Sequence, residues 1–128
     1  MINSRLTRYE LQLDVLERNG ALSDSAATAL LRSEFALAVN ASYFSLLSDH
    51  GLAVDVLSRE TPQDGVARYS VVLELDERTP NMTDEQAAEL VCREFRRAQN
   101  ASHFARISSE DFCAKLIARE AAGAPIAG

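Results

Sequence analysis

The chain has 128 residues, of which 47% are apolar and 25% are charged, and its formal net charge is −6. This composition is typical of a folded protein, and the length is enough for one domain with a core. We expect that domain to span residues 1–122, followed by a flexible tail at 123–128. The acidic net charge argues against a general nucleic-acid binder, and no apolar stretch approaches the ~20 residues of a membrane-spanning helix.

The sequence repeats itself at a spacing of 60 residues. Residues 8–60 align without gaps on residues 68–120, with 18 identities in 53 aligned positions. We call these segments the first repeat and the second repeat. The alignment predicts a tandem duplication of a unit of about 60 residues, with the two copies related by a pseudo-twofold axis.

Each repeat begins with a pattern that predicts a strand followed by a helix. Apolar residues alternate with polar ones over 9–15 and 69–75, which indicates two half-buried strands, and we expect these to pair as an antiparallel ribbon. Ser23 and Thr83, or the aspartate after each, are suitable N-caps for a long helix. The predicted apolar face is identical in both helices: Ala27, Leu30, Phe35, Ala38, Ala41 and Ser42, and the residues 60 positions later.

The last element of each repeat is open to two interpretations. Residues 52–57 and 112–117 carry apolar residues at i, i+1, i+4 and i+5, which is typical of a helix. A strand is the alternative, because Gly51 and two valines favour it. The first interpretation gives an α+β fold with two β-α-α units, and the second gives β-α-β units in a ferredoxin-like sheet. We favour the β-α-α unit.

The two cysteines, Cys92 and Cys113, form no CxxC pair and have no histidines at metal spacing. We therefore predict two buried free thiols in a reducing compartment, and hence a cytoplasmic protein. The chain also lacks glycine-rich phosphate loops, nucleophile motifs and dinucleotide fingerprints. On these grounds we expect no metal, no cofactor and no enzymatic activity.

Glu34 and Glu94 form an unusual matched pair, because each lies near the centre of an apolar helix face. One hypothesis is a two-carboxylate site at the pseudo-twofold axis, completed by Asn40 and Asn100, for a small ligand or for acid–base chemistry. The other, which we favour, is a structural role for all four. In that case the asparagines adjust the helix end. The glutamates would then pair with matched arginines: Arg8 and Arg68, or Arg59 and Arg119.

The two long helices differ on their outer sides. The first carries apolar residues there, and the second carries basic ones at or near the matched positions. The apolar set consists of Ala36, Leu37, Val39 and Tyr43, and the basic set of Arg93, Arg96, Arg97 and Arg106. Since a helix that is apolar all round is buried all round, the first set predicts either a helix at the centre of the domain or, as we favour, a self-association surface. The second set predicts either a solvated face or a docking surface for an acidic partner.

These patterns favour a non-catalytic protein–protein interaction module, such as an adaptor, assembly factor, inhibitor or chaperone, that acts as a small acidic homo-oligomer. A dimer is the favoured state. The alternative is a small-ligand or enzymatic domain with a site between the repeats around Glu34 and Glu94. A nucleic-acid protein that works through the basic set alone is the remaining hypothesis.

Overall fold

The computed structural model describes residues 6–18, 20–79 and 81–121. The predicted tail at 123–128 lies outside the described residues. The chain is α+β: two helices pack on an antiparallel sheet. The elements in chain order are β1 (Thr7–Leu16), α1 (Asp24–Asn40), β2 (Ser48–Gln63), β3 (Val66–Glu77), α2 (Asp84–Asn100) and β4 (Lys115–Ala121).

The sheet has four strands in the order β2-β3-β1-β4. The two strands predicted from alternation, β1 and β3, are its central pair, with Leu11 opposite Val71 in antiparallel register. That prediction is confirmed. With α1 and α2 as the crossover connections, the order of elements is the split β-α-β arrangement of ferredoxin-like folds.

The prediction of a second helix in each repeat, which the β-α-α unit requires, is wrong. β2 and β4 are strands that form the two edges of the sheet. The pattern was misleading because each edge strand has a bulge with one extra residue, Leu57 in β2 and Ile117 in β4. An extra residue puts two apolar residues side by side, as in Val56–Leu57, and this resembles helical spacing. The fold therefore has the β-α-β order that was kept as the alternative.

Both helices begin at the predicted N-caps. The side chains of Ser23 and Thr83 accept the backbone N–H three residues on, and Thr83 forms a reciprocal capping box with Gln86. These contacts satisfy N–H groups that the first helical turn leaves without partners. Each helix ends at the asparagine of the Asn-Ala-Ser segment, Asn40 or Asn100.

One continuous core lies between the helices and one face of the sheet. The alternating residues of β1 and β3 are buried on that face, from Tyr9 to Val15 and from Tyr69 to Leu75. The predicted helix faces are only partly confirmed: Ala27, Phe35 and Ala38 and their matched residues are buried. The other buried residues of the helices are Leu31, Val91, Glu34 and Glu94.

All five phenylalanines of the chain meet in this core. Phe35 and Phe95 contact each other edge to face at 5.5 Å between ring centroids, and Phe44 and Phe104 pack against both. Phe112 joins from the second repeat at 5.8 Å from Phe95. Edge-to-face and tilted rings pack well because the ring edge is positive and the face negative. The cluster joins α1 to α2 above the centre of the sheet.

Candidate functional site

The two matched glutamates hold the backbone of the opposite repeat. The backbone N–H of Phe104 donates to Glu34 Oε1 at 2.9 Å, and the backbone N–H of Phe44 donates to Glu94 Oε1 at 3.0 Å. Phe44 and Phe104 have φ angles of 70° and 68°, in the left-handed region that a large side chain rarely adopts. Each carboxylate thus stabilises a strained turn in the opposite repeat.

The expected pairing of these glutamates with matched arginines is wrong. Arg59 and Arg119 lie elsewhere, and the cation that reaches Glu94 is Arg97, with Nη1 at 2.9 Å from Oε1. Position 37 in the first repeat holds leucine instead of the matching arginine. Glu34 is thus satisfied by a main-chain donor, and Glu94 by a main-chain donor together with Arg97, as burial of a charged group requires.

The matched arginines belong to two networks that also cross between the repeats. Arg59 Nη2 donates to Glu17 Oε1 at 2.6 Å, and Arg59 Nη1 donates to Asp24 at the start of α1. The hydroxyl of Tyr69, from the other repeat, donates to Glu17 Oε2 at 3.0 Å. The second network has the same form and consists of Arg119, Glu77, Asp84 and Tyr9.

The arginine and glutamate side chains of both networks are largely buried, whereas the aspartate of each is exposed. Burial, with a hydrogen bond to Glu17, raises the pKa of Tyr69 to about 12. The pKa of Tyr9 is also raised, first by burial and then by its hydrogen bond to Glu77. Bidentate bonds to Glu17 raise the pKa of Arg59. The raised pKa values keep both tyrosine hydroxyls protonated near pH 7, where each donates to its carboxylate.

Most of the polar residues that are identical in the two repeats thus have partners within the fold. Asn40 and Asn100, which the ligand hypothesis placed beside Glu34 and Glu94, are exposed at the helix ends. Asn40 lines a groove beside α1, and neither Glu34 nor Glu94 lines that groove or the polar cavity at the end of α2. The ligand-binding role of these four residues stays a prediction.

The repeats differ in the space between each helix and its edge strand. Between α1 and β2 there is an open groove of about 280 Å³. Its apolar wall comes from both elements, and Arg32 lies at its rim, where Nη2 is 3.3 Å from Asp55 Oδ1. The apolar lining residues are Phe35, Ala36, Val39, Leu52 and Val54. Two of the four predicted self-association residues, Ala36 and Val39, are among them.

In the second repeat the chain itself occupies the matching space. Phe112, which corresponds to Leu52, packs against Phe95 and Phe104. Gln99, which corresponds to Val39, clamps the main chain at Phe112: its Nε2 donates to the carbonyl at 2.8 Å, and its Oε1 accepts the N–H at 2.9 Å. The sequence did not predict this clamp, although Val39 and Gln99 are a mismatched pair of half-buried helix residues.

The prediction of two free thiols is wrong. Cys92 on α2 and Cys113 before β4 form a disulfide, with 5.4 Å between their Cα atoms. This spacing is in the usual range for bridged cysteines. No sequence pattern indicated the bond, because the two residues meet only once the segment before β4 lies against α2. With the thiols joined, the ground for a cytoplasmic location is lost.

The remaining predicted residues lie on the outer surface of the helices. Leu37 is 49% exposed, which is high for a leucine beside an apolar groove. Tyr43 is half-buried at the axis, where it contacts the ring of His103 at 5.1 Å and carries the guanidinium of Arg97 over its own ring. Arg93 and Arg96 are exposed on α2, and Arg106 on the turn after it.

A second, polar cavity of about 160 Å³ lies at the C-terminal end of α2, where the Nε of Arg18 donates to the carbonyl of Ala105 at 2.6 Å. Its lining includes His103, Ser108 and Asp111. Within residues 6–18, 20–79 and 81–121, no three histidine, cysteine, aspartate or glutamate side chains are grouped so that they could hold a metal ion. In the same residues, neither helix is long and apolar enough to cross a membrane.

Comparison of the chain with protein-family models, with curated proteins and with solved structures gives no match.

Proposed function

We propose that the protein is a non-catalytic protein–protein interaction module that forms a homodimer through the outer side of α1. The observation that carries this proposal is the difference between two matched spaces. The α2 space is filled by Phe112 and the Gln99 clamp, whereas the α1 space is an open apolar groove. An open apolar groove beside a half-exposed leucine is the kind of surface that a protein partner covers.

The groove and its surroundings have the features of a self-complementary surface. Ala36 and Val39 form part of the groove wall, and Leu37 projects from the same helix next to them. In a twofold dimer the same patch of both copies meets, so a protruding group beside a recess is one way to make the patch self-complementary. Leu37 of each copy would insert into the groove of the other copy, so the same contact would form twice in one dimer.

The outer side of α2 is the second part of the proposal. Arg93, Arg96, Arg97 and Arg106 replace Ser33, Ala36, Leu37 and Leu46 of the first repeat. Arg97 is partly engaged by Glu94, while Arg93 and Arg106 are exposed residues. We infer that these arginines face solvent in the dimer and attract an acidic partner, which electrostatic complementarity would steer and orient.

The architecture also supports an origin by duplication. The residues that are identical between the repeats join each unit to the other, as in the Glu34–Phe104 bond and its counterpart. Two copies of a β-α-β unit that first met as a dimer would need these contacts between them. We propose that this pairing became intramolecular when the units were joined.

The test is the solution mass of the protein, measured by light scattering after size exclusion over about a hundredfold concentration range. We expect a dimer that dissociates on dilution. Val39→Gln, which puts the Gln99 residue into the first repeat, should weaken the dimer because it places an amide in the apolar contact. Ser33→Arg, on the same helix but absent from the groove lining, is the control. A monomer at every concentration would refute the proposed function.

A further inference from the structure

The Cys92–Cys113 disulfide joins a partly covered sulfur to an accessible one. Cys92 lies on α2 and is half-buried, whereas Cys113 is an exposed residue two positions before β4 begins. A thiol that approaches from solvent therefore meets Cys113 first. Access is one of the factors that decide which sulfur of a disulfide is attacked.

A cation contacts the other sulfur. The Nη2 of Arg96, one helical turn after Cys92, donates to Cys92 Sγ at 3.9 Å. A neighbouring guanidinium stabilises a cysteine as its thiolate. A stabilised thiolate is the better leaving group in thiol–disulfide exchange. Exposure and charge thus assign different roles to the two sulfurs, with Cys113 as the attacked atom and Cys92 as the leaving group.

The disulfide also links α2 covalently to the segment before β4, which does not pair with the sheet. β4 joins β1 only from Lys115, opposite Gln12, and no ladder pair to β1 is described for residues 110–114. In the first repeat, by contrast, the matched stretch is already paired to β3 at Leu52. Residues 110–114 depend instead on the Gln99 clamp, the Phe112 ring and the disulfide.

We propose that Cys92–Cys113 is a reversible thiol–disulfide exchange site that reacts with thiol reductants. An incoming thiolate forms a bond to Cys113 Sγ, the bond to Cys92 Sγ breaks, and its electron pair stays on Cys92 as a thiolate beside Arg96. A second thiolate attacks the outer sulfur of the mixed disulfide and releases Cys113. In total, two thiols become one disulfide, and the cysteine pair gains two electrons and two protons.

Reduction changes the second repeat locally. Without the covalent link, residues 110–114 keep the Gln99 clamp, the Phe112 ring, the bonds between Ser108 and Glu110 and the buried Ala114. Opening of this segment uncovers the rings of Phe95 and Phe104. The second repeat then offers an apolar recess in the place where the first repeat has its groove. The exchange site therefore controls how much apolar surface the protein exposes.

The test uses the oxidised full-length chain and reduced glutathione, with iodoacetamide to trap the freed thiolate, followed by peptide mass spectrometry. The expected first product has glutathione on Cys113 and the alkyl group on Cys92. Arg96→Gln should slow the first exchange step about threefold. Arg93→Gln, on the same helix without a contact to the sulfur, is the matched control and should react at the wild-type rate.

Three results would overturn the proposal. The first is glutathione found on Cys92, and the second is equal exchange rates for the Arg96 and Arg93 variants. The third is a disulfide that stays intact at millimolar thiol in the folded protein. A separate readout is hydrogen exchange at residues 110–114, which should become faster on reduction and stay unchanged at residues 50–54, the matched stretch of the first repeat.

Discussion

Glu34 accepts the backbone N–H of Phe104 from the opposite repeat, at 2.9 Å. The bond is buried and holds a phenylalanine at a φ angle of 68°. Its counterpart joins Glu94 to Phe44 in the same way. A carboxylate on an apolar helix face therefore has a structural role, because it stabilises the turn after the other helix.

Replacing Glu34 tests this role. Glu34→Leu leaves the buried N–H of Phe104 without an acceptor, so we expect the free energy of unfolding to fall by about 1–3 kcal/mol. Glu34→Gln keeps an acceptor oxygen and should lose clearly less. Urea denaturation at neutral pH measures both. Equal losses for the two variants would show that the hydrogen bond contributes nothing.

The Arg59 network should matter more than an exposed ion pair. The side chains of Arg59 and Glu17 are only 5% and 6% exposed, whereas those of Arg68 and Asp14 are 42% and 46% exposed. Arg59→Ala leaves Glu17 buried without its cation, which costs about 3–5 kcal/mol. Arg68→Ala should cost clearly less, because solvent screens an exposed ion pair. A thermal or urea unfolding series on the two variants would contradict this prediction if their losses were equal.

The ionisation of the Tyr69 hydroxyl should lower the free energy of unfolding at high pH. Its pKa is raised from 10.0 to about 12, chiefly by burial. Since the folded-state pKa is the higher one, the stabilisation is complete below pH 10 and is lost as the pH rises from 10 to 12. Each such tyrosine reduces the free energy of unfolding by about 1.4 kcal/mol per pH unit in that window.

The variant Tyr69→Phe removes this titration. Its free energy of unfolding should fall less steeply than that of the wild type between pH 10 and 12. Tyr9, whose pKa is also raised, keeps part of the slope in both proteins. Urea unfolding at pH 9 and pH 11 measures the difference. The same slope in both proteins would mean that Tyr69 ionises as easily when folded as when unfolded.

Two exposed serines occupy backbone conformations that suit glycine. Ser42 and Ser102 both have a φ angle of 72°. Glycine has no Cβ to clash in this region, so Ser42→Gly or Ser102→Gly should raise the free energy of unfolding by about 0.5–1 kcal/mol. Ser33→Gly, in the regular helix α1, should lower it by about 0.5 kcal/mol. Melting temperatures of the three variants that fell in the opposite order would refute this prediction.

The sequence predicted the elements in which local pattern and burial agree. Alternation over 9–15 and 69–75 predicted β1, β3 and their pairing, because one face of each is buried and the other is not. The edge strands were predicted only as the less favoured alternative, since their bulges at Leu57 and Ile117 break the alternation. Asp64–Gly65 was an overlooked signal: it forms the turn between β2 and β3, with Gly65 at a φ angle of 80°.

The candidate site was predictable only in part. Comparison of the repeats singled out Ala36 and Val39 as unmatched apolar residues, and both line the groove. The filling of the second repeat was not predictable, because it depends on where the chain runs before β4. The disulfide was not predictable for the same reason. Cys113 reaches Cys92 only because the segment before β4 lies against α2 instead of pairing with the edge of the sheet.

The most direct test of the proposed dimer exchanges one matched pair of residues and follows the mass by sedimentation equilibrium. Leu37→Arg gives the first repeat the residue of the second, and Arg97→Leu does the reverse. If α1 forms the interface, Leu37→Arg should be monomeric at concentrations where the wild type and Arg97→Leu are dimers. If Leu37→Arg keeps the mass of the wild type, α1 is not the surface through which the protein self-associates.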